Sequence, residues 1–301
     1  MKRFRGLTPL LALFSLFFAL SAAGSAAAVA LEIDVQARVV SAGEPLRVDV
    51  HSPVALSKLS GHFLGQPFAL LPLGDGRHWR GWSLVPLDNE AADATIELRG
   101  RTLDGGEAHA THALTIREKR FPEENLDVAP RFVEPPKQER ERIARERQQL
   151  EKVYATVSSP TKIQGPFLRP VNGKNTSVFG MRRLFNGKPR SPHPGLDLRA
   201  ATGTDVRAAG GGRVVLAQSL YYAGNTVILD HGGQLFTIYA HLSRIDVESG
   251  QPVERGEVVG LSGATGRVTG PHLHWGAKIG DLPFDPEALL SPKLFADRAR
   301  R

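Results

Sequence analysis

The first third of the chain alternates between apolar and polar residues. The alternation is clear at 31–39 and 46–50, and Asp75-Gly76 is a turn signal that precedes a segment with two tryptophans. A period of two predicts half-buried β-strands, and short strands separated by turn residues are typical of antiparallel sandwiches. We therefore predict a β-sandwich domain of immunoglobulin type over 31–118, with about seven strands.

A second β pattern, much richer in glycine, occupies 166–290. Runs rich in β-branched and aromatic residues at 212–217, 225–230, 235–240 and 273–275 are separated by turns that contain glycine. No stretch of this region keeps a helical period, so we predict a second, antiparallel β domain. The predicted fold class is thus mainly β.

The two β regions are joined by a linker and a helix over 119–165. Residues 121–136 are rich in Pro and Glu, and Pro136 suits the first position of a helix that reaches about Tyr154. Three apolar side chains form a narrow stripe on this helix: Ile143, Leu150 and Tyr154. The stripe favours a helix that docks on one of the β domains, or else a solvated spacer. A plug that mimics substrate is the third alternative.

The two ends of the chain are predicted to lie outside these domains. Residues 1–30 combine a basic start, an apolar run at 10–20 and small residues before Leu31, which is the pattern of a cleaved signal peptide. The apolar run is short for a membrane span, so we expect an exported, periplasmic protein without a stable membrane anchor after cleavage. Residues 291–301 are predicted to be a basic tail.

The amino-acid composition limits which functional groups and which partners the protein can have. The chain has no cysteine, which excludes disulfides, thiolate metal ligands and a cysteine nucleophile. The formal charge of +7 includes three basic residues of the predicted signal peptide, so the mature chain is only mildly basic. Nucleic acid is not expected as a partner of an exported protein. An anionic polymer of the cell envelope is compatible with this charge, and so is an ordinary soluble surface.

Two short motifs in the second β domain carry metal-binding chemistry. His193 and Asp197 lie in His-Pro-Gly-Leu-Asp, and His272 and His274 lie in His-Leu-His. Two imidazoles and one carboxylate hold zinc and leave one tetrahedral position open for water, which distinguishes a catalytic from a structural site. The spare histidine of the second motif can transfer protons, because residues two apart on a strand share a face. We predict one zinc ion per chain.

The motifs leave two local questions open. Pro and Gly between His193 and Asp197 favour a turn wrapped around the ion over a helix. His231 and His241 both follow predicted strands closely, so their spacing does not decide which of them contributes to the site.

The glycine-rich domain resembles the lysostaphin-type, or LytM-like, zinc endopeptidases of bacterial cell walls. The resemblance covers about 166–286 and rests on the two motifs and on four further segments: 177–180, 195–198, 239–242 and 265–272. It implies that His193, Asp197 and His274 bind zinc and that His241 and His272 form the catalytic pair. We expect His272 to take a proton from water and His241 to donate a hydrogen bond to the developing oxyanion.

The resemblance also implies a substrate, the peptide part of peptidoglycan. The order of β domain, helix and peptidase is similar to that of enzymes that cleave the D-alanyl–diaminopimelate cross-link of Gram-negative walls. Relatives that have lost ligands activate other wall enzymes, but all five positions are present here. We therefore predict a zinc endopeptidase. The alternative is a non-catalytic peptidoglycan-binding or amidase-activating module of the same fold, and a zinc-storage or adhesion protein is remote.

The resemblance leaves other residues with looser expectations. It assigns no role to His231, for which we expect a structural position at a strand end. The N-terminal β domain is expected to bind wall polymer or to cover the groove. Four basic side chains precede the first motif, and we expect some of them to meet substrate carboxylates, with solvated loop charges as the alternative: Arg182, Arg183, Lys188 and Arg190.

Overall fold

The computed structural model describes residues 28–126, 135–159, 163, 165–185, 187–189 and 191–296. Most of the predicted signal peptide and residues 297–301 of the predicted tail lie outside these ranges. Within them the predicted mainly β architecture is confirmed. In the described part of the chain, no helix is long and apolar enough to cross a membrane.

Eight strands form the N-terminal sheet: β1 (Val29–Ala30), β2 (Glu32–Gln36), β3 (Pro45–His51), β4 (Leu56–Phe63), β5 (Gln66–Pro72), β6 (His78–Leu84), β7 (Asp93–Thr102) and β8 (Glu107–Thr115). Their order is β1-β8-β7-β4-β5-β6-β3-β2. β5 pairs with β4 through its first residues and with β6 through its last, so it joins the two halves. The alternating residues Leu46 and Val48 are fully buried in the core between these halves. The immunoglobulin type stays a prediction.

The segment predicted as an irregular connector contains a strand. β9 (Glu123–Leu126) pairs in parallel with β11 (Arg182–Phe185), which pairs on its other side with β12 (Lys188–Pro189). The sequence of β9, Glu-Glu-Asn-Leu, has no alternating pattern, so it did not indicate a strand, and the pairing depends on β11 from a distant part of the chain.

The predicted helix is present and docked. A 3₁₀ turn at Lys137–Glu139 leads into α1 (Arg140–Ala155). Tyr154 is only 8% exposed, and its ring lies 5.5 Å from that of Phe236. The ammonium group of Lys278 lies 4.3 Å from the centre of the Tyr154 ring. The docking alternative is therefore confirmed.

The second sheet carries the candidate site. Its elements are β10 (Asn175–Ser177), β13 (Gly195–Arg199), β15 (Gly212–Leu220), β16 (Gly224–Asp230), β17 (Leu235–Leu242), β19 (Pro252–Val253), β21 (His272–Ile279) and β22 (Leu282–Phe284). The strand order is β10-β13-β21-β17-β16-β15-β19, with β22 paired to β21. A smaller sheet contains β14 (Asp205–Arg207), β20 (Val258–Leu261) and β18 (Arg244–Ile245). The chain continues through a 3₁₀ helix at Pro286–Leu290 into α2 (Pro292–Phe295).

The N-terminal sheet packs directly on the second sheet. Trp82 and Leu84 belong to the same apolar cluster as the core of the second sheet, and the rings of Trp82 and Phe295 are 6.2 Å apart. Arg38 bridges the fully buried Glu44 to Asp285, with 2.7 Å between its Nη2 and the Asp285 Oδ2. The first residues of the predicted tail are therefore part of the packed structure, because α2 supplies Phe295 to this contact.

Candidate active site

The two sequence motifs meet on adjacent strands at the centre of the second sheet. Asp197 of β13 lies directly opposite His274 of β21 in an antiparallel pair. His272 and His274 are both on β21, which confirms the strand predicted for the second motif. The turn or loop predicted between His193 and Asp197 is present only at His193 and Pro194. For Asp197 the prediction is wrong, because Gly195 pairs with Gly276 and starts β13 two residues before Asp197.

Three donor atoms converge where a metal ion was predicted. Asp197 Oδ1 lies 3.0 Å from His193 Nε2 and 2.8 Å from His274 Nδ1. The two imidazole nitrogens are 3.1 Å apart. Among the described residues, these three side chains are the group of histidines and acids that could hold a metal ion. One ion could therefore contact all three atoms.

The hydrogen bonding of His193 shows that the cluster suits a cation. Its Nδ1 lies 3.0 Å from the carbonyl oxygen of Val178, which can only accept, so the proton resides on Nδ1. Burial lowers the pKa of His193, which keeps the ring neutral. Nε2 then presents a lone pair to Asp197 Oδ1. Two acceptors at that separation repel each other unless a proton or a metal ion lies between them, so the donor set is compatible with a bound cation such as zinc.

Asp197 is held in its ionised form. Burial by itself would raise the pKa of its carboxyl group, but the neighbouring imidazoles of His193 and His274 outweigh this effect and hold the pKa well below its ordinary value. The residue is only 8% exposed. A buried carboxylate beside two imidazoles supplies the negative charge that a divalent ion requires.

His241 reaches the site through a bulge in β17. Asn225 pairs with Leu242 and Val227 pairs with Tyr239, so β17 carries one extra residue between these pairs. His241 has a left-handed backbone, with φ of +64°, which costs about 1–2 kcal/mol for a residue with a Cβ atom. Strict alternation would point His241 to the same face as the core residue Tyr239. The bulge turns its ring instead to within 5.9 Å of the His274 ring.

The protonation of His241 bears on its expected role. Its Nδ1 donates to the carbonyl oxygen of Thr265 at 2.9 Å, which leaves a lone pair on Nε2. Burial, together with the charge of His274, lowers the pKa of His241 to about 3. A neutral ring with this tautomer accepts at Nε2. The expected donation to an oxyanion would need an imidazolium, which this environment disfavours.

His272 lies beside the three donor atoms. Its Nδ1 donates to the carbonyl oxygen of Gly270 at 2.9 Å, which again leaves Nε2 as the basic nitrogen. That Nε2 is 3.7 Å from Asp197 Oδ1, and the rings of His272 and His241 are 4.9 Å apart. Two imidazoles with accepting Nε2 atoms thus lie beside the three donor atoms.

His231 is in the core and not in the site. It is fully buried, with Nδ1 2.7 Å from the Gly211 carbonyl oxygen and Nε2 2.7 Å from Thr237 Oγ1. Burial lowers its pKa to about 4. Its position at the end of β16 agrees with the structural role expected from the sequence.

The four basic candidates divide into separate environments. Arg182 is exposed on β11, whereas the Nη2 atom of Arg183 lies 3.1 Å from Asp197 Oδ2 and 2.8 Å from Ser177 Oγ. Lys188 belongs to β12, and Arg190 lies outside the described residues. Contact of any of these residues with substrate stays a prediction. Sequence reasoning missed the contact of Arg183 with Asp197, because neither spacing nor alternation reports it.

A triad of His, Asp and His on the face of a glycine-rich antiparallel sheet, flanked by two further histidines, is the kind of side-chain group that could hold a metal ion in a hydrolytic site. Residues 191–286 match peptidase family M23. The chain therefore carries a peptidase M23 domain of the lysostaphin, or LytM, type.

Several proteins are similar to this domain. Peptidoglycan DD-endopeptidase ShyA of Vibrio cholerae is 48% identical over 117 residues, which are 38% of this chain and 27% of ShyA. DD-carboxypeptidase/endopeptidase Mpg of Neisseria meningitidis is 43% identical over 110 residues, 36% of this chain and 25% of Mpg. The chain thus spans only about a quarter of the length of these curated relatives.

One solved structure resembles most of the chain. A crystal structure from Pseudomonas aeruginosa, assigned to peptidase M23, is 28% identical, with a TM-score of 0.59. The match covers 83% of this chain and 94% of that one. The similarity therefore extends beyond the M23 match into the N-terminal part of the chain.

Proposed function

We propose that this protein is a zinc-dependent endopeptidase that hydrolyses peptide cross-links of peptidoglycan, with the bond between D-alanine and diaminopimelate as its target. The observation that carries the proposal is the convergence of three donor atoms within 3.1 Å beside the accepting nitrogens of two further histidines. The substrate class is supported by ShyA of Vibrio cholerae, which is named a peptidoglycan DD-endopeptidase.

The residues divide between metal binding and proton transfer. His193 Nε2, Asp197 Oδ1 and His274 Nδ1 would hold one zinc ion, which lowers the pKa of a coordinated water and polarises a carbonyl group. His272 Nε2 takes a proton from the attacking water and returns it to the leaving amine nitrogen. The carbonyl oxygen of Gly270 fixes the orientation of this ring throughout, because it holds Nδ1 at 2.9 Å.

His241 acts as a second acceptor in this scheme. Its lowered pKa keeps it neutral at pH 7, and the Thr265 carbonyl oxygen holds its Nδ1 proton. It can orient a water molecule or the departing amine through Nε2. The strained backbone at this residue supports a functional role, because such conformations concentrate at active sites.

We propose that the protein is exported and works in the periplasm, where its substrate is found. The basic side chains of Arg182, Lys188 and Arg190 would meet carboxylates of the stem peptides. Neutralising these three residues should raise KM and leave zinc binding unchanged. An unchanged KM would remove this part of the proposal.

The N-terminal sheet would target the enzyme to the wall or cover its groove. Trp82 and Leu84 contribute to the core of the peptidase part, so deletion of the whole sheet would expose apolar surface. A substitution at the interface, Arg38→Met, is a smaller change than the deletion: it removes the ion pairs with Asp285 and Glu44, and Lys119 stays 3.0 Å from the buried Glu44 carboxylate. Higher activity in this variant would support a cover, and weaker binding to insoluble wall would support a targeting role.

The experiment that tests the proposal is digestion of purified diaminopimelate-type peptidoglycan by the zinc-loaded protein, with products resolved by mass spectrometry. The matched control is His272→Ala, which removes the proton acceptor but none of the three zinc ligands. Monomers released from cross-linked dimers by the parent alone would establish the activity and identify the bond. A parent protein that binds zinc and wall but releases no product would instead support the non-catalytic alternative.

A further inference from the structure

The two oxygens of Asp197 have different partners. Oδ1 faces the three imidazole nitrogens, at 2.8 Å from His274, 3.0 Å from His193 and 3.7 Å from His272. Oδ2 faces away from them and lies 3.1 Å from the Nη2 atom of Arg183. The carboxylate therefore presents one oxygen to the candidate metal position and gives the other to a guanidinium group.

The guanidinium group of Arg183 is also held by a second partner. The same Nη2 atom donates to Ser177 Oγ at 2.8 Å, and this hydroxyl lies 3.2 Å from His193 Nδ1. The side chain is only 21% exposed. Arg183 thus contacts one candidate ligand directly and another through Ser177.

The backbone of Arg183 is fixed on both sides. β11 lies between β9 of the connector and β12, and Arg183 is in register with Glu124 of β9. The preceding residue, Arg182, donates its backbone N–H to the Pro122 carbonyl oxygen at 2.8 Å. A strand with neighbours on both edges places its side chains more reproducibly than a free loop does. The connector therefore helps to position the guanidinium group.

From this arrangement we propose that Arg183 is a positioning residue that keeps Asp197 a one-oxygen ligand of the metal. The proposal rests on the zinc site of the proposed function. A carboxylate can bind a metal through one oxygen or through both. A charge-assisted hydrogen bond from Arg183 occupies Oδ2 and opposes the two-oxygen mode. The position that a second oxygen would fill then stays open for water and substrate, as catalytic zinc requires.

This role differs from the substrate contact expected for Arg183 from the sequence. A substrate contact would be lost on substitution with a rise in KM, whereas a change in ligand geometry lowers kcat and leaves KM nearly unchanged. Partners of metal ligands typically contribute about 10–100-fold to activity or affinity. We expect a loss of kcat of that size in Arg183→Gln.

The test uses cobalt(II) as a probe of coordination, because its visible absorption is strongest with four ligands and weakens as further ligands are added. Cobalt(II)-loaded parent protein and Arg183→Gln are compared with Arg182→Gln, a matched neutralisation of the exposed neighbour on the same strand. We expect the parent and Arg182→Gln to share one spectrum and Arg183→Gln to absorb more weakly. Arg183→Lys, which keeps the charge, should recover part of both the absorption and kcat.

The outcomes separate this proposal from its alternatives. An Arg183→Gln spectrum identical to that of the parent overturns the proposal, and a raised KM with that spectrum makes Arg183 a substrate contact. If Arg183→Gln does not fold, Arg183→Met keeps the aliphatic stem and takes its place. The cobalt(II) spectra do not depend on turnover. A parent that fails to cleave peptidoglycan would thus refute the proposed function and leave this test in force.

Discussion

Gly195 is the position where a single methyl group should damage the metal site most directly. A Cβ atom built on this residue would lie 2.7 Å from His274 Cε1, 2.8 Å from His274 Nε2 and 2.7 Å from the carbonyl oxygen of Trp275. Contacts this short are not tolerated, so Gly195→Ala forces a neighbour to move. The Trp275 carbonyl belongs to the paired strand β21, because Gly195 is in register with Gly276. Both the ring of His274 and the backbone of β21 beside Trp275 must therefore shift, and His274 belongs to that strand.

The size of the effect of Gly195→Ala on zinc binding can be worked out from the cost of overpacking. An extra methyl group in a packed site costs about 1–3 kcal/mol. His274 Nδ1 is also held 2.8 Å from Asp197 Oδ1, so rotation of the ring separates two of the three donor atoms. If the cost falls on the metal-bound state, zinc affinity drops by about 5- to 150-fold.

Competition with a chromophoric chelator at pH 7 measures this affinity, and thermal unfolding of the metal-free protein measures any general damage. The matched control is Gly211→Ala, whose Cβ would lie no closer than 3.5 Å to any neighbour. We expect the control to bind zinc as the parent does. Zinc binding by Gly195→Ala within twofold of the parent would refute the reasoning, since the ring of His274 would then have absorbed the methyl group without cost.

Three further predictions concern the metal, the core and the helix. His193→Ala should lose zinc and activity together, as measured by bound metal after dialysis and by wall digestion; retention of stoichiometric zinc would contradict its role as a ligand. In the folded protein the pKa of His231 is about 4, below the ordinary value of 6.5. The neutral, buried ring therefore contributes its full stabilisation of the fold above pH 6.5, and this contribution is lost as the pH falls from 6.5 through 4. This is tested by urea unfolding in the presence of a chelator. Between pH 7 and pH 4 the free energy of unfolding of the parent should fall by up to about 3 kcal/mol more than that of His231→Gln. Equal decreases in the two proteins would show that His231 does not cause the pH dependence. Tyr154→Ala should lower the free energy of unfolding by about 3 kcal/mol and Tm by about 6–12 °C, because it removes the ring contact between α1 and Phe236. An unchanged Tm would mean that docking of the helix adds no stability.

The pattern of residues within single strands was sufficient to predict part of the fold and part of the site. The alternation at 46–50 predicted buried strand residues, and Leu46 and Val48 are fully buried. The spacing of His272 and His274 predicted two rings on one face of a strand, and β21 provides it. These features depend only on the period of a strand and on the apolar character of its residues, so they can be read without knowledge of the partner strands.

The failures occurred where a distant segment decides the local structure. Asp197 was assigned to a turn because Pro and Gly precede it, but pairing of Gly195 with Gly276 extends β13 through this residue. β9 was assigned to an irregular connector because its own sequence has no strand pattern. Its strand exists because β11 offers a free edge. The start of the predicted tail likewise forms α2, whose Phe295 has a place against Trp82.

The sequence by itself determined which chemical groups its two motifs can bring to a metal: a chain without cysteine offers no thiolate, and the motifs supply histidine and carboxylate ligands. It also determined the strand periodicity that carries two of them. The tertiary structure determined how these side chains are oriented in the site. The bulge in β17 turns His241 away from the core face, and Arg183 reaches Asp197 from a strand fixed by the connector. Side-chain orientation depends on strand register and on contacts between segments that are far apart in the chain. The order of residues along one segment does not contain that information.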